Sequence, residues 1–211
     1  MGQLFMSQEK DKSVNNKYLF MFDLGNVVID NIEVNDKIAE YYHLNREEYE
    51  IDYGHYVYPL MDGTIDASFY FKHVSHQFKV DIPPDSFATF FKPTINEEVR
   101  DLILSLRGEG HTVVCASNTY KGHYDIIREM GVLDLFDQNF ASHEMGICKP
   151  ARQFFEHILT KMNFDATNSF FIDDLPENVE MGEKLGIKSM LFVDEYKKSA
   201  IDFVRKFLQK M

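Results

Sequence analysis

The chain has 211 residues, 45% of them hydrophobic, and a formal net charge of −12 at pH 7. That length suits one domain, or a core domain with a small insertion, and the apolar fraction is enough for a sizeable core. The negative charge repels nucleic acid and anionic membranes, and no apolar run is long enough to cross a bilayer. We therefore expect a cytoplasmic protein with no nucleic-acid or membrane partner, either a monomer or a weak homodimer.

Residues 1–17 show no secretory pattern, because their apolar run is short and polar residues follow it, and we predict a flexible tail. The first predicted strand lies in KYLFMFD, residues 17–23, a continuous apolar run typical of a central strand buried on both faces. The two cysteines, Cys115 and Cys148, are too few for a disulfide framework, so we predict reduced thiols.

Residues 34–92 are rich in Tyr, Phe and His, with apolar residues at helical spacing and no strong strand pattern. Turn-forming residues at YGHY, YPLMDG and DIPPD predict breaks between several short helices. Because this helical stretch interrupts an alternation of strands and helices, we interpret residues 31–93 as an inserted helical cap.

After Pro93 the sequence alternates between helices and strands. Helices are predicted over 96–110, 119–131, 151–162, 176–186 and 197–210, and strands over 111–118, 136–142, 169–174 and 187–193. Such alternation implies right-handed crossovers and a parallel sheet with helices on both faces. The predicted fold is therefore α/β, with a Rossmann-like sheet formed by residues 18–30 and 94–211.

Polar side chains stand at, or just after, the carboxyl ends of the predicted strands. They are Asp23, the pair Ser117 and Asn118, Lys149, and the pair Asp173 and Asp174. Each group alone is more often a helix cap, a turn former or a solvated side chain. Parallel sheets, however, bind ligands at the carboxyl ends of their strands, so all of these groups are expected on one rim.

Carboxylates from different strands, with no Cys or His beside them, form a hard oxygen site suited to Mg²⁺. A carboxylate can attack a phosphate bound at such a site to give an aspartyl-phosphate, while hydroxyl, amide and lysine groups bind the charged oxygens. A response-regulator receiver domain uses similar acids, but its acidic pair lies near its N-terminus, whereas Asp173 and Asp174 come last here. The sequence thus favours an enzyme acting on a small phosphorylated metabolite.

Four motifs in this order resemble those of the haloacid dehalogenase (HAD) superfamily of phosphohydrolases with a small helical cap. They are FDLGNVV, VVCASNT, GICKP and FFIDDLPENV. The chain looks most like the branch whose first motif reads Asp-Leu-Gly-Asn, which includes α-D-glucose-1-phosphate phosphatases and the phosphatase-like domain of some epoxide hydrolases. KPARQFFEHIL and the cap piece YPLMDGTIDASFYF (58–71), a helix–turn–helix, also resemble that branch.

The resemblance assigns a metal site to the first and last motifs. It implies that Asp23 is the nucleophile and a Mg²⁺ ligand, and that Asp174 is a direct ligand. Asp173 would be a near or water-mediated ligand, and Gly25 would supply only its backbone carbonyl. A dehalogenase, which would attack carbon with Asp23 and need no Mg²⁺, is a rival that the acidic pair disfavours.

The resemblance also assigns the groups that bind phosphate. Ser117 would bind the transferring phosphoryl group through its hydroxyl, assisted by the N–H of Asn118. Lys149 would neutralise the charge of Asp23 and of the phosphate, so Asp23, Ser117 and Lys149 are the predicted catalytic residues. Asn178 stands where many relatives carry another acid, and it would lie behind the groups that contact the ligand.

Gly25 departs from the family pattern, because most relatives have an Asp two residues after the nucleophile. That Asp protonates the leaving oxygen and then activates water, and general acid–base catalysis is worth roughly 10² to 10⁴ in rate. Three interpretations stay open: a good leaving group, as in glucose 1-phosphate; a substitute such as His55, Tyr56, His143 or Glu144; or weak turnover in a protein that binds a phosphorylated ligand or partner.

Overall fold

The computed structural model describes residues 17–194 and 197–208. Its strands are β1 (Leu19–Phe22), β2 (Ile29–Asp30), β3 (Thr94–Ile95), β4 (Thr112–Ser117), β5 (Gln138–Ala141), β6 (Ser169–Asp173) and β7 (Lys188–Leu191). Five of them form one sheet in the order β5-β4-β1-β6-β7, and every neighbouring pair is parallel. The predicted α/β fold class is therefore confirmed.

The helices agree with most of the predicted ones to within a few residues. They are α1 (Asn35–Tyr41), α2 (Arg46–Met61), α3 (Ala67–Phe78), α4 (Ser86–Phe90), α5 (Glu97–Gly108), α6 (Lys121–Glu129), α7 (Ser142–Met145), α8 (Arg152–Met162), α9 (Pro176–Lys184) and α10 (Lys197–Leu208). Short 3₁₀ turns cover Val132–Leu135 and Ala166–Asn168. The predicted tail, apart from Lys17, and the last two residues of the predicted final helix lie outside the described residues. No helix in the described ranges combines the length and the apolar character needed to span a bilayer.

Strand β1 is the centre of the sheet because all four of its side chains are apolar and fully buried. Phe20 and Phe22 pack into the cluster on one face, and Leu19 and Met21 into the cluster on the other. Burying a side chain of this size contributes about 1.5–3 kcal/mol. The strand is thus a rigid base for the residue that follows it, Asp23, whose N–H donates to the carbonyl of Ile172 on β6 (2.9 Å).

Helices α1 to α4 all lie between β2 and β3, which pair with each other as a short antiparallel ribbon. The chain therefore enters and leaves the helical segment at adjacent points. Aromatic packing also joins this helical segment to the core. Phe91 stacks on His123 with ring centroids 3.7 Å apart, and Phe87 packs on Tyr120 at 4.8 Å.

Helix α2 differs from the prediction, because it runs unbroken through YGHY and over Pro59. A single interior glycine such as Gly54 costs only about 1 kcal/mol. Burial of Tyr49 and Leu60, near the two ends of the helix, outweighs that cost. The predicted break at YGHY is therefore wrong, and the reason is tertiary packing.

The helix–turn–helix predicted over residues 58–71 is confirmed. Helix α2 ends at Met61, and the carboxylate of Asp62 accepts the N–H of Thr64 (2.8 Å) in the turn. Asp66 then caps α3 by accepting the N–H of Phe69 (2.8 Å). Short polar side chains that bond to nearby backbone donors stop and restart the helix here.

Candidate active site

Lys149 lies between two carboxylates at the carboxyl edge of the sheet. Its Nζ donates to Oδ1 of Asp23 at 2.7 Å and to Oδ2 of Asp173 at 2.6 Å, and only 1% of the lysine is exposed. Asp23 follows β1, and Asp173 ends the neighbouring strand β6, so the sheet itself sets the spacing of the two acids. Lys149 reaches them from the loop between α7 and α8.

Burial and mutual attraction shift the pKa values of Asp23 and Lys149 in this trio. Burial raises the pKa of Asp23 to about 7, even though Lys149 acts to lower it. Burial acts to lower the pKa of Lys149, but Asp173 and Asp23 outweigh it and hold that pKa above its usual range. The lysine is therefore charged at neutral pH, and one ammonium group faces two buried carboxyl groups.

Asp23, Asp173 and Asp174 each offer one oxygen, and these oxygens lie within 4.8 Å of one another. The amide of Asn26 donates to Oδ2 of Asp174 (2.9 Å) and holds that carboxylate towards the cavity. Burial also raises the pKa of Asp174, so a cation here would stabilise the ionised form. Hard carboxylate oxygens around one point are the donor set that Mg²⁺ prefers.

Asp173 differs from the other two acids because three donors already engage it. Its Oδ1 accepts the N–H of Leu175 and the amide of Asn178, both at 2.9 Å, and its Oδ2 accepts Lys149. Asn178 lines the cavity, and its side-chain oxygen is buried and has no partner among the described residues. A buried acceptor without a donor is costly, and water bound to a metal ion would satisfy it. The residues present therefore fit Mg²⁺.

Ser117 and Asn118 stand at the end of β4, on the other side of Asp23. Ser117 is almost fully buried. The side-chain amide of Asn118 brackets the backbone of Lys149, donating to its carbonyl (2.9 Å) and accepting its N–H (2.8 Å). The Asn118 side chain therefore positions Lys149, a role that the motif does not reveal.

A cavity of about 320 Å³ opens above these groups and includes Asp23, Asn118, Lys149 and Asp174. Its apolar lining is formed by Ile32, Val57, Tyr58, Met61 and Leu175. Tyr58 and Leu175 are exposed, and Glu33 and Glu177 also line the cavity. The helical segment thus supplies much of the apolar lining.

The space beside Gly25 is already filled. A Cβ at this position would lie 2.8 Å from Cδ1 of Ile32 and 3.8 Å from Oδ2 of Asp23. An Asp here would therefore require the end of the Ile32 side chain to move. The end of the Ile32 side chain therefore occupies the space that the first atoms of a side chain at position 25 would need, and sequence reasoning missed this contact.

The four side chains considered as substitutes for a carboxylate at position 25 lie elsewhere. The Nδ1 of His143 donates to the carbonyl oxygen of Thr119 (3.1 Å). The carboxylate of Glu144 pairs with the guanidinium of Arg128, with 3.7 Å between Oε1 and Nη2. Tyr56 packs on His73 within the helical segment, and His55 is exposed. Among the described residues, none of these four lines the cavity that holds Asp23.

Ser142 ties the helical segment to the core. Its hydroxyl donates to the carbonyl of Met61 at the end of α2 (2.6 Å) and accepts the N–H of Thr119 (2.9 Å). Beside it, Gly63 has a positive φ of +77°, and a Cβ there would lie 2.7 Å from the carbonyl oxygen of His143. Only a glycine permits this close approach. A serine directly after β5 was the one available sequence signal.

Both cysteines are free thiols. Burial raises the pKa of Cys115, in β4, and that of Cys148, next to Lys149. Because the thiolate is the reactive form of cysteine, neither thiol is an activated nucleophile. The nucleophile of this site is therefore to be sought among the carboxylates.

Comparisons with known proteins identify a family and several relatives of this chain. Residues 19–186 match the family of haloacid dehalogenase-like hydrolases. The chain is 30% identical over 122 residues to the sesquiterpene phosphatase astK of Aspergillus oryzae. The aligned region covers 55% of this chain and 62% of that protein. The chain is also 30% identical over 124 residues to the drimenol cyclase drtB of Aspergillus calidoustus, covering 57% of this chain and 22% of that protein. The match thus spans less than two thirds of the length of both relatives.

Solved structures share the fold. A predicted HAD-like family hydrolase from Porphyromonas gingivalis superposes with a TM-score of 0.75 at 22% identity, over 90% of this chain and 98% of its own. A variant of a HAD family enzyme from Bacteroides thetaiotaomicron, in complex with magnesium and inorganic phosphate, gives 0.72 at 21% identity, over 83% and 93%. At these identities the likeness establishes the fold and leaves the reaction to the site.

Proposed function

The chain belongs to the haloacid dehalogenase-like hydrolases, and on that premise we propose that it is a Mg²⁺-dependent phosphatase of a small phosphorylated metabolite. The observation that carries the proposal is the buried Asp23 carboxylate, held by Lys149 at 2.7 Å and joined by Asp174 in one cavity. A lysine and a metal-binding acid beside a nucleophile suit the dianionic phosphate group.

Asp23, Asp174 and the backbone carbonyl of Gly25 would hold the metal ion, with Asp173 as a near ligand. When bound, Mg²⁺ supplies positive charge that draws electron density from the phosphate oxygens. Asp23 attacks phosphorus in line, the bond to the leaving oxygen breaks, and an aspartyl-phosphate forms on Asp23. Lys149 orients the nucleophile and offsets negative charge, and Ser117 binds the transferring group. Water then hydrolyses the aspartyl-phosphate and restores the carboxylate.

The cavity lining favours a monophosphate with an uncharged organic group. Its apolar wall includes Ile32, Val57 and Met61, and burial of apolar ligand surface there contributes about 25 cal/mol per Å². Glu33 and Glu177 repel a second phosphate or carboxylate. A sugar 1-phosphate, expected from the Asp-Leu-Gly-Asn branch, and a terpenoid monophosphate, suggested by the relative astK, both satisfy the charge requirement. The apolar wall favours the terpenoid.

Phosphate release from a panel of monophosphates tests the proposal. The panel contains an aryl phosphate, glucose 1-phosphate, a prenyl monophosphate and a nucleoside monophosphate, each assayed with Mg²⁺ and with EDTA. We expect release that needs Mg²⁺ and disappears in Asp23→Asn, while Asp165→Asn, at an exposed position, keeps it. Release that persists at full rate in Asp23→Asn would refute the assigned nucleophile. No release from wild-type protein would leave the alternative of a protein that only binds a phosphorylated ligand.

A further inference from the structure

A second cavity of about 190 Å³ adjoins the catalytic one. It extends under the helical segment towards Asn35, Tyr53 and His123. The side-chain oxygen of Asn35 is buried there and has no partner among the described residues, as expected for an acceptor that awaits a ligand hydroxyl or water. The catalytic cavity therefore has an inner extension able to receive part of a substrate.

Four residues line both cavities and so mark the junction between them: Ile32, Glu33, Met61 and Asn118. The phosphate group has to lie beside Asp23 and Lys149, in the outer cavity. In-line attack directs the leaving oxygen away from Asp23. An organic group that continues into the inner cavity crosses the junction, and its bridging oxygen then lies among these residues.

Glu33 is the member of this set that can exchange a proton. Ile32 and Met61 are apolar, and the amide of Asn118 is engaged by the backbone of Lys149. Glu33 follows Ile32 in the chain and lines both cavities. Within the described residues, no hydrogen bond or ion pair engages the Glu33 carboxylate, and the residue is exposed.

We propose that Glu33 is the general acid and base of this enzyme and replaces the carboxylate absent at Gly25. This inference rests on the proposed phosphatase function. In the first step Asp23 bonds to phosphorus, the bond to the leaving oxygen breaks, and protonated Glu33 gives its proton to that oxygen, which departs as an alcohol. In the second step Glu33, now ionised, takes a proton from water as the water oxygen bonds to phosphorus. The bond between Asp23 and phosphorus breaks, and inorganic phosphate leaves.

The effect of Glu33→Gln on substrates with different leaving groups tests this role. An aryl oxide can depart without being protonated, whereas an alkoxide needs a proton from a general acid. We expect Glu33→Gln to lower turnover of a simple alkyl phosphate by about 10²- to 10³-fold. With an aryl phosphate, the first burst of phenol should change by less than about tenfold, since only the later hydrolysis needs a base. Acid-stable labelled phosphate on the protein should then accumulate above the wild-type level.

Two variants complete the test. Glu40→Gln, an exposed glutamate on α1 outside both cavities, should match wild type with both substrates. Glu33→Asp should recover part of the alkyl turnover. A loss of the phenol burst as large as the loss of alkyl turnover, or a Glu33→Gln enzyme as active as Glu40→Gln, would overturn the role of Glu33 while leaving the phosphatase proposal intact. Wild-type protein without Mg²⁺-dependent release would overturn both.

Discussion

Lys149 and Asp23 are 126 positions apart in the sequence, yet the lysine Nζ lies 2.7 Å from the aspartate Oδ1. The same Nζ reaches Asp173 at 2.6 Å, so one buried cation connects the strands β1 and β6 at their carboxyl ends. A single side chain therefore both neutralises charge and positions Asp23, the proposed nucleophile. This arrangement makes the stability of the protein depend on its active site.

Replacing Lys149 by methionine should destabilise the protein and abolish phosphate release. Breaking a buried ion pair costs about 3–5 kcal/mol, because it leaves uncompensated charges behind. Thermal denaturation in EDTA should show a clear fall in Tm, and Mg²⁺ should restore part of it by neutralising Asp23 and Asp173. Lys161→Met, at an exposed position, is the control. An unchanged Tm for Lys149→Met in EDTA would contradict this account.

The two adjacent acids should respond differently to amide substitution. Asp174→Asn should weaken Mg²⁺ binding with little loss of stability, because one of its oxygens has only the Asn26 amide as a partner. Asp173→Asn should lower the free energy of unfolding by about 1–3 kcal/mol, because its carboxylate accepts three hydrogen bonds, two of them fully buried. Mg²⁺ titration by calorimetry and urea unfolding in EDTA separate the two effects. The reverse pattern would show that Asp173 is the main metal ligand.

Gly25→Asp should place a carboxylate beside Asp23 only if the end of the Ile32 side chain moves. The new Cβ meets Cδ1 of Ile32 at 2.8 Å, and truncation of that side chain in Gly25→Asp/Ile32→Ala removes the clash. We expect the double variant to hydrolyse alkyl phosphates faster than Ile32→Ala alone, with a smaller gain on aryl phosphates. Initial rates on both substrate types provide the measurement. Equal gains on both would show that the new carboxylate does not protonate the leaving oxygen.

Gly63→Ala should loosen the contact between α2 and the core. The alanine Cβ would lie 2.7 Å from a backbone oxygen, and the φ of +77° strains any residue with a side chain. We expect a loss of about 1–3 kcal/mol in the free energy of unfolding and a raised KM. Gly108→Ala, a helical position with open space around it, is the matched control. Equal stability of the two variants would show that the contact is not tight.

His123 should make the protein less stable in mild acid. Burial lowers its pKa to about 3, and the ring lies against Phe91 with its Nε2 3.2 Å from the hydroxyl of Tyr120. The pKa of His123 is lower in the folded protein (about 3) than in the unfolded chain (about 6.5). At pH values between these two, only the unfolded chain binds a proton on this imidazole. Stability is thus full above pH 6.5 and falls as pH decreases, by up to about 1.4 kcal/mol per pH unit.

Urea unfolding at several pH values between 7 and 4 measures this effect. His123→Gln removes the titrating group and should flatten the pH dependence below pH 6.5, although the variant itself starts from a lower stability. His55→Gln, at an exposed position, should keep the wild-type slope. Parallel slopes for wild type and His123→Gln would mean that the imidazole is protonated in the folded protein.

Local signals explain why the elements could be predicted. The apolar run of β1 and the cap at Asn96, which accepts the N–H of Val99 (3.3 Å), lie within a few residues of the structure they specify. The prediction failed at YGHY because continuity of α2 depends on where Tyr49 and Leu60 are buried, and that burial involves distant segments. The four motifs identified the superfamily, which the family match confirms. The Asp-Leu-Gly-Asn branch remains a prediction.

The sequence by itself determined the family, the sheet and the order of the acids, because motifs and strand ends are contiguous stretches whose chemistry can be recognised without their surroundings. Only the tertiary structure decided how Lys149 bridges two acids, how Ile32 fills the space beside Gly25, and how Ser142 holds Met61. Those relationships join residues far apart in the chain. They exist only once the helical segment and the sheet have packed together, because distances of a few ångströms are set by burial rather than by local propensity.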